Sequence, residues 1–253
     1  MRTLALIYLL TELSLFGQPA NLFPGAAYVA TQTAASGTTY LSRWPMTEGS
    51  GTTLADSTGH GYNITLENNP SWQAGPNGAN ALSFNGSTQY GYTATALTPM
   101  GGVQHASFSA WVHVASYSSS VFTLSAIDAN NYPFTLSLFG GTVYCGVGNG
   151  TNNFPSVSAT ASWNGWHCVA LTFDGTQSIA ANRVVLYLDG TPLTLVQDSG
   201  NPSALGSSIN LNVSKLGVHF LFGYEATVIS DIIIDTNTWT QAKVASIFTA
   251  GAQ

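Results

Sequence analysis

Charge is scarce in this sequence. Aspartate, glutamate, lysine and arginine make up 6% of its 253 residues, against roughly 25% in ordinary soluble domains. With 5 Lys+Arg against 11 Asp+Glu and a formal net charge of −6, there is no basic stripe to displace counterions from phosphates, which excludes nucleic acid and argues against an anionic membrane surface as partner. Cysteine is nearly absent as well: Cys145 and Cys168 are too few for a disulfide framework or a cysteine zinc site. Both fall on expected strands, which leaves them open either to pair or to serve as free core residues. The N-terminal apolar run, Leu4 to Leu10, is too short to span a bilayer.

Clustered acids are missing too. Glycoside hydrolysis needs two carboxyls about 5–9 Å apart across the scissile bond. The glutamates Glu12, Glu48, Glu67 and Glu225 have no acidic neighbour at i+2 or i+3. Asp231 and Asp235 share a face of one expected strand, and Glu48, which opens a run of turn residues, is expected to hold that loop. The histidines at 60, 105, 113, 167 and 219 lack the paired spacing of a zinc helix. Gly49-Ser50-Gly51 lacks the spacing of a nucleophile elbow. His167 reads as a hydrogen-bonded structural residue and His60 as exposed. The chain is therefore expected not to be an enzyme.

What the sequence does hold is strand pattern. Hydrophobic residues make up 45%, with 26 Gly and 11% aromatics, the profile of an all-β fold with many turns. In 166–175, Val169, Leu171 and Phe173 fall on one face and Cys168, Ala170 and Thr172 on the other. In 184–190, Val184, Leu186 and Leu188 share a face and run into Asp189-Gly190, a pair that tolerates the two positive φ angles of a tight hairpin. A two-residue loop sets Leu188 against Thr191 and Tyr187 against Pro192, and the proline calls for a strand that is short or at an edge. Further strands are expected near 40–44, 62–66, 81–86, 88–94, 106–114, 120–126, 132–138, 142–148, 213–219 and 224–234, with 149–165 mostly loop. Residues 240–250 read as an amphipathic helix with Thr240 as N-cap, Val244, Ile247 and Phe248 as its stripe, and Gly251 at its end.

Residues 1–37 differ from the rest. Met1-Arg2 and the apolar run after it have the start of a signal peptide, with Gly25-Ala26-Ala27 as a small-residue cleavage site. The same segment also reads as an apolar arm retained for assembly with neighbouring subunits, followed by the linker Ala34-Ala35-Ser36-Gly37. The domain proper is residues 38–253.

Several blocks occur in order along that domain. They are Trp44, then Glu48-Gly49-Ser50-Gly51-Thr52 and Asp56-Ser57-Thr58-Gly59, then Ala81 to Gly86 and Phe108 to Val112. Trp166 to Ala170, Leu186 to Gly190 and Ile229 to Ile234 complete the series before the terminal helix. In this order the chain resembles a laminin-G-like domain of the concanavalin-A-like lectin/glucanase superfamily. The resemblance implies an all-β, jelly-roll sandwich of two antiparallel sheets with a short C-terminal helix. It also implies a core containing Trp44, Phe84, Phe108, Trp111, Trp166 and Phe173. A structural calcium ion is the cofactor the family implies, but Ser230 and Gln89 stand where relatives commonly have Asp, leaving Asp231 and Asp56 as the remaining acids.

Without catalytic acids, the activity this fold implies is glycan binding, by stacking on aromatic faces and hydrogen bonds from loop amides. The loop-placed candidates are Trp72, Tyr117, Tyr132 and Trp163, with Asn130, Asn131, Asn152 and Asn153 as amide partners. Asn63, Asn85, Asn149 and Asn212 begin glycosylation sequons. The expected role is extracellular adhesion to a glycan or cell-surface polysaccharide. The alternative is a structural protein of a virion or filament that forms a homo-oligomer or larger assembly through residues 1–37.

Overall fold

The computed structural model describes residues 40–95, 97–114, 120–127, 134–139, 141–147, 156–160, 162, 164–178, 180–197, 213–216 and 226–251. Both readings of residues 1–37 lie outside this set. In chain order the strands are β1 (Ser42–Trp44), β2 (Thr53–Leu54), β3 (Ile64–Glu67), β4 (Ser71–Ala74), β5 (Asn80–Asn85) and β6 (Tyr90–Thr93). Next come β7 (His105–Val114), β8 (Ser120–Ile127), β9 (Phe134–Phe139), β10 (Thr142–Val147), β11 (Ser156–Thr160) and β12 (Gly165–Asp174). The last are β13 (Val184–Leu188), β14 (Thr191–Pro192), β15 (Val196–Gln197), β16 (Val213–Leu216) and β17 (Ala226–Asp235), followed by the helix α1 (Gln241–Gly251).

They form two antiparallel sheets. The first runs β14-β13-β12-β7-β17-β5-β4, with β1 also paired to β17; the second runs β15-β11-β10-β9-β8-β16-β6-β3-β2. The expected sandwich is the one observed. Period-two alternation on each inner face fills the space between the sheets. Phe108 of β7 meets Phe134 of β9 edge-on at 5.2 Å, and Phe134 lies 6.5 Å from Phe173 of β12. Trp44, Met46, Leu54, Ile64, Leu82 and Phe84 join the same core. The Trp44 indole N–H donates to Tyr62 O at 2.8 Å, which satisfies its one polar atom.

The outer face of the first sheet is apolar as well, and α1 covers it. Val244 and Ile247 pack on Ala170, Tyr187, Ile233 and Trp239, forming a second, smaller core. Thr240 Oγ1 accepts from Lys243 N, the N-cap expected from the sequence. Phe248 stacks on Trp111 at 5.7 Å and 25°. Trp111 is therefore buried as expected, but beneath the helix instead of between the sheets.

The β13–β14 hairpin has the expected register, Leu188 opposite Thr191 and Tyr187 opposite Pro192. Asp189 and Gly190 have φ of 49° and 78°, the left-handed pair of a type I′ turn. Pro192 ends a two-residue strand at the sheet edge, as its missing N–H requires.

Two expectations need correction, for β11 and for Trp166, and the alternative left open for the cysteines is settled. β11 occupies part of the stretch read as loop: Pro155 and small hydroxyl residues give Ser156–Thr160 little propensity of their own, and pairing along β10 makes the strand. Trp166 is only half-buried; it lies on the outer face of β12, opposite His113, not in the core. Cys145 and Cys168 are both buried and are not joined to each other by a disulfide. Cys145 faces the core from the second sheet, and Cys168 lies on the first sheet opposite Trp111, so no common edge brings them together. Burial, then the charges of Asp189 and Asp231, push the Cys168 thiol far up, which keeps it protonated and inert.

Candidate functional site

Of the four candidate aromatics, Tyr117, Tyr132 and Trp163 lie outside the described residues, as do Asn130, Asn131, Asn152 and Asn153. Trp72 is described, and it is not on a loop. It sits on β4 opposite Leu82, half-buried against the main core, with its indole N–H donated to Gly51 O at 3.0 Å. Its ring edge helps to fasten the 48–53 loop.

The acids hold backbone. Glu48 Oε1 accepts from Ala55 N at 2.8 Å, the loop-holding role expected for it. Asp56 Oδ1 takes Thr58 N, Thr58 Oγ1 and Arg43 N, while Oδ2 takes Tyr62 N. Burial pushes the Asp56 carboxyl up; the bonds from Thr58 and Tyr62 outweigh it and hold the group below its ordinary value of 3.8. His60, exposed as expected, lies with Nδ1 at 2.9 Å from Leu41 O. His167 Nδ1 meets Asp189 Oδ2 at 2.8 Å and its Nε2 accepts from Asn164 N at 3.1 Å, so the proton sits on Nδ1. Asp189 Oδ1 also accepts from Cys168 N at 2.9 Å. Asp231, at φ 41° in a β17 bulge, takes Arg43 in two bonds of 2.8 and 3.0 Å. Asp235 accepts the Trp239 indole N–H at 2.7 Å. Asp231 and Asp235 are thus claimed by different partners.

Among the described residues, the outer face of the second sheet carries partly exposed aromatic rings. On β6, Gly91 and Thr93 point inward and Tyr90 and Tyr92 outward, with ring centroids 6.0 Å apart at 37°. β3 presents Glu67 opposite Tyr90 and Thr65 opposite Tyr92, all partly exposed. Four strands along the same sheet, Tyr144 of β10 stands between Ser137 and Ser158. At about 4.8 Å per strand this sets the two aromatic groups roughly 19 Å apart. Beside the tyrosine pair, the turns at 68–70 and 85–89 form a rim of amides: Asn68, Asn69, Asn85 and Gln89. Sequence reading placed 88–94 as a strand without separating its faces. The signal was there in Tyr90-Gly91-Tyr92-Thr93, where the residues that fit a core alternate with two rings that do not. A second partly exposed pair, Trp166 and His113, meets edge-on at 5.4 Å on the first sheet.

No family model matches the chain, and no curated protein matches it. Solved structures do. The binding domain of botulinum neurotoxin DC, in complex with rat synaptotagmin II, aligns with a TM-score of 0.63 at 13% identity over 84% of this chain and 52% of that one. The binding domain of botulinum neurotoxin serotype G gives 0.65 at 13% identity, over 83% and 51%. A botulinum neurotoxin type C structure, described as dependent upon two ganglioside molecules for cell entry, gives 0.61 at 12% identity, over 83% and 51%. The chain spans about half the length of these neighbours. At such identity the likeness is one of fold, an antiparallel β-sandwich.

Proposed function

We propose that the chain is a non-enzymatic, laminin-G-like adhesion module that works outside the cell and binds a neutral glycan. The binding surface is the tyrosine face of the second sheet with its amide rim. The observation that carries this reading is the outward pair Tyr90 and Tyr92, with Thr65 and Glu67 beside it on β3 and a rim of amides next to it, on a chain with 6% charged residues. Sugars offer apolar C–H patches to aromatic faces and hydroxyls to amides, and such a surface meets both. The engagement of Glu48, Asp56, Asp189, Asp231 and Asp235 in holding backbone and side chains supports the absence of catalysis. The neighbouring structures, a receptor-binding domain of a C/D mosaic botulinum neurotoxin and a type C neurotoxin whose cell entry depends upon two ganglioside molecules, support a cell-surface glycan as the partner class. Among the described residues no helix is long and apolar enough to cross a membrane.

A glycan array probed with the purified chain tests the proposal. Binding to a defined set of neutral oligosaccharides supports it, and an array without a hit overturns it. The second reading, a building block of a virion or filament, is favoured by the scarcity of charge, since a surface of amides and hydroxyls suits burial in an assembly. Mass spectrometry of the native N-terminus together with light scattering separates the two. A monomer starting near Tyr28 favours the secreted binder; an intact Met1 in large oligomers favours the structural role.

A further inference from the structure

Two turns meet beside the tyrosine face, and one side chain joins them. Asn68 and Asn69 are both left-handed, at φ of 58° and 52°. Their carbonyl oxygens converge on Gln89 Nε2, which donates to them at 3.1 and 2.9 Å. Gln89 Oε1 accepts from Asn85 N at 2.7 Å. Both amide hydrogens are thus used across the gap, and the amide oxygen is used within its own turn. The turns are stiffened from each side: Asn85 Oδ1 accepts from the backbone of Ser87, Thr88 and Gln89, and Asn68 Nδ2 donates to Thr88 O.

Two backbone carbonyls directed at one point are a hard, oxygen-rich half-site of the kind calcium takes. The resemblance to laminin-G-like domains implies a calcium ion, and the residues present do not fit one. Gln89 brings no charge and turns two N–H hydrogens toward the carbonyls, where a cation would be repelled. The Ser230 hydroxyl donates to Asn80 O at 2.7 Å, and both oxygens of Asp231 belong to Arg43. Among the described residues no three His, Cys, Asp or Glu are grouped to hold a metal ion.

We propose that the Gln89 amide does the work of a bridging divalent cation in this rim, and that the one change Gln89→Glu turns the rim into a calcium site. A glutamate keeps the bond from Asn85 N but sets an anionic oxygen against the two carbonyls. That repulsion is relieved when a cation sits among them.

Thermal unfolding of the full chain with EDTA or with about 5 mM calcium tests this. The native chain is expected to melt within about 1 °C of the same temperature in both. Gln89→Glu is expected to melt roughly 5 °C lower in EDTA and to recover at least half of that with calcium, the linkage of a millimolar site. Terbium luminescence, sensitised by the nearby tyrosines, should rise for Gln89→Glu well above the native chain. A native melting temperature that climbs by about 3 °C or more with calcium overturns the proposal. So does a Gln89→Glu chain that ignores calcium, or equal terbium signals from both. If Gln89→Glu does not fold in EDTA, folding restored by calcium supports the proposal, and failure in both buffers overturns it.

Discussion

Replacing Gly190 with alanine strikes the fold where the hairpin and the helix meet. Gly190 has φ of 78°, a conformation that costs an alanine about 1 kcal/mol. A Cβ there would stand 3.1 Å from Ala245 Cα and 3.6 Å from Phe248 Cβ, both on α1. The nearer contact is with backbone, so the helix has to shift by a few tenths of an ångström. Over a packed interface such a shift costs about 1–3 kcal/mol. The two effects together come to about 2–4 kcal/mol, a large part of the roughly 5–15 kcal/mol that holds a domain together. Urea unfolding followed by tryptophan fluorescence reads this directly, because Trp111 and Trp239 lie under α1. The midpoint should fall with the slope unchanged. A loss below about 0.5 kcal/mol would mean that the turn and helix are not in tight contact, and would refute the packing described for α1.

Two more predictions concern the acids. Asp189→Ala removes the carboxylate shared by His167 and Cys168 N and leaves a left-handed alanine, so it should cost about 3 kcal/mol in urea unfolding, and Asp189→Asn about half as much. Equal, near-zero losses would contradict the role given to Asp189. Asp56 has a depressed folded value, so its contribution is fully present above its ordinary 3.8 and is lost as pH falls through the lower folded value. Asp56→Asn turns an acceptor into a donor facing Tyr62 N–H. It should lower stability by about 1–2 kcal/mol at neutral pH, with the gap to the native chain closing in the acid range. A gap that stays constant across the titration would sink this account.

Strand pattern was legible in the sequence wherever one face was apolar and the turn chemistry was strong. β12, β13 and Asp189-Gly190 are the clearest cases, and the Thr240 cap and the Val244–Ile247 stripe placed α1. Pattern says which residues alternate but not which face a third layer will cover, so Trp111 and Trp166 were assigned alike to the core. The structure separates them by where α1 ends: Trp111 lies under Phe248, and Trp166 stands half-exposed beside His113. Short edge strands such as β4 and β15 are made by their neighbours, which moved Trp72 from a loop to a sheet. The site was less legible than the fold. Recognition by uncharged hydroxyls and rings carries no spacing rule comparable to a metal or acid pair, and the outward tyrosines on β6 became visible only when the inward partners Gly91 and Thr93 were placed.

The tyrosine face is the centre of the functional reading, and one comparison addresses it. Calorimetric titration of an array-selected oligosaccharide into the native chain and into Tyr90→Ala/Tyr92→Ala would measure what the two rings contribute. Truncating an aromatic anchor costs about 1–2 kcal/mol, so the double variant should bind roughly 30-fold or more weakly while its melting temperature stays close to native. Unchanged affinity in a folded double variant would place the glycan elsewhere and contradict the account.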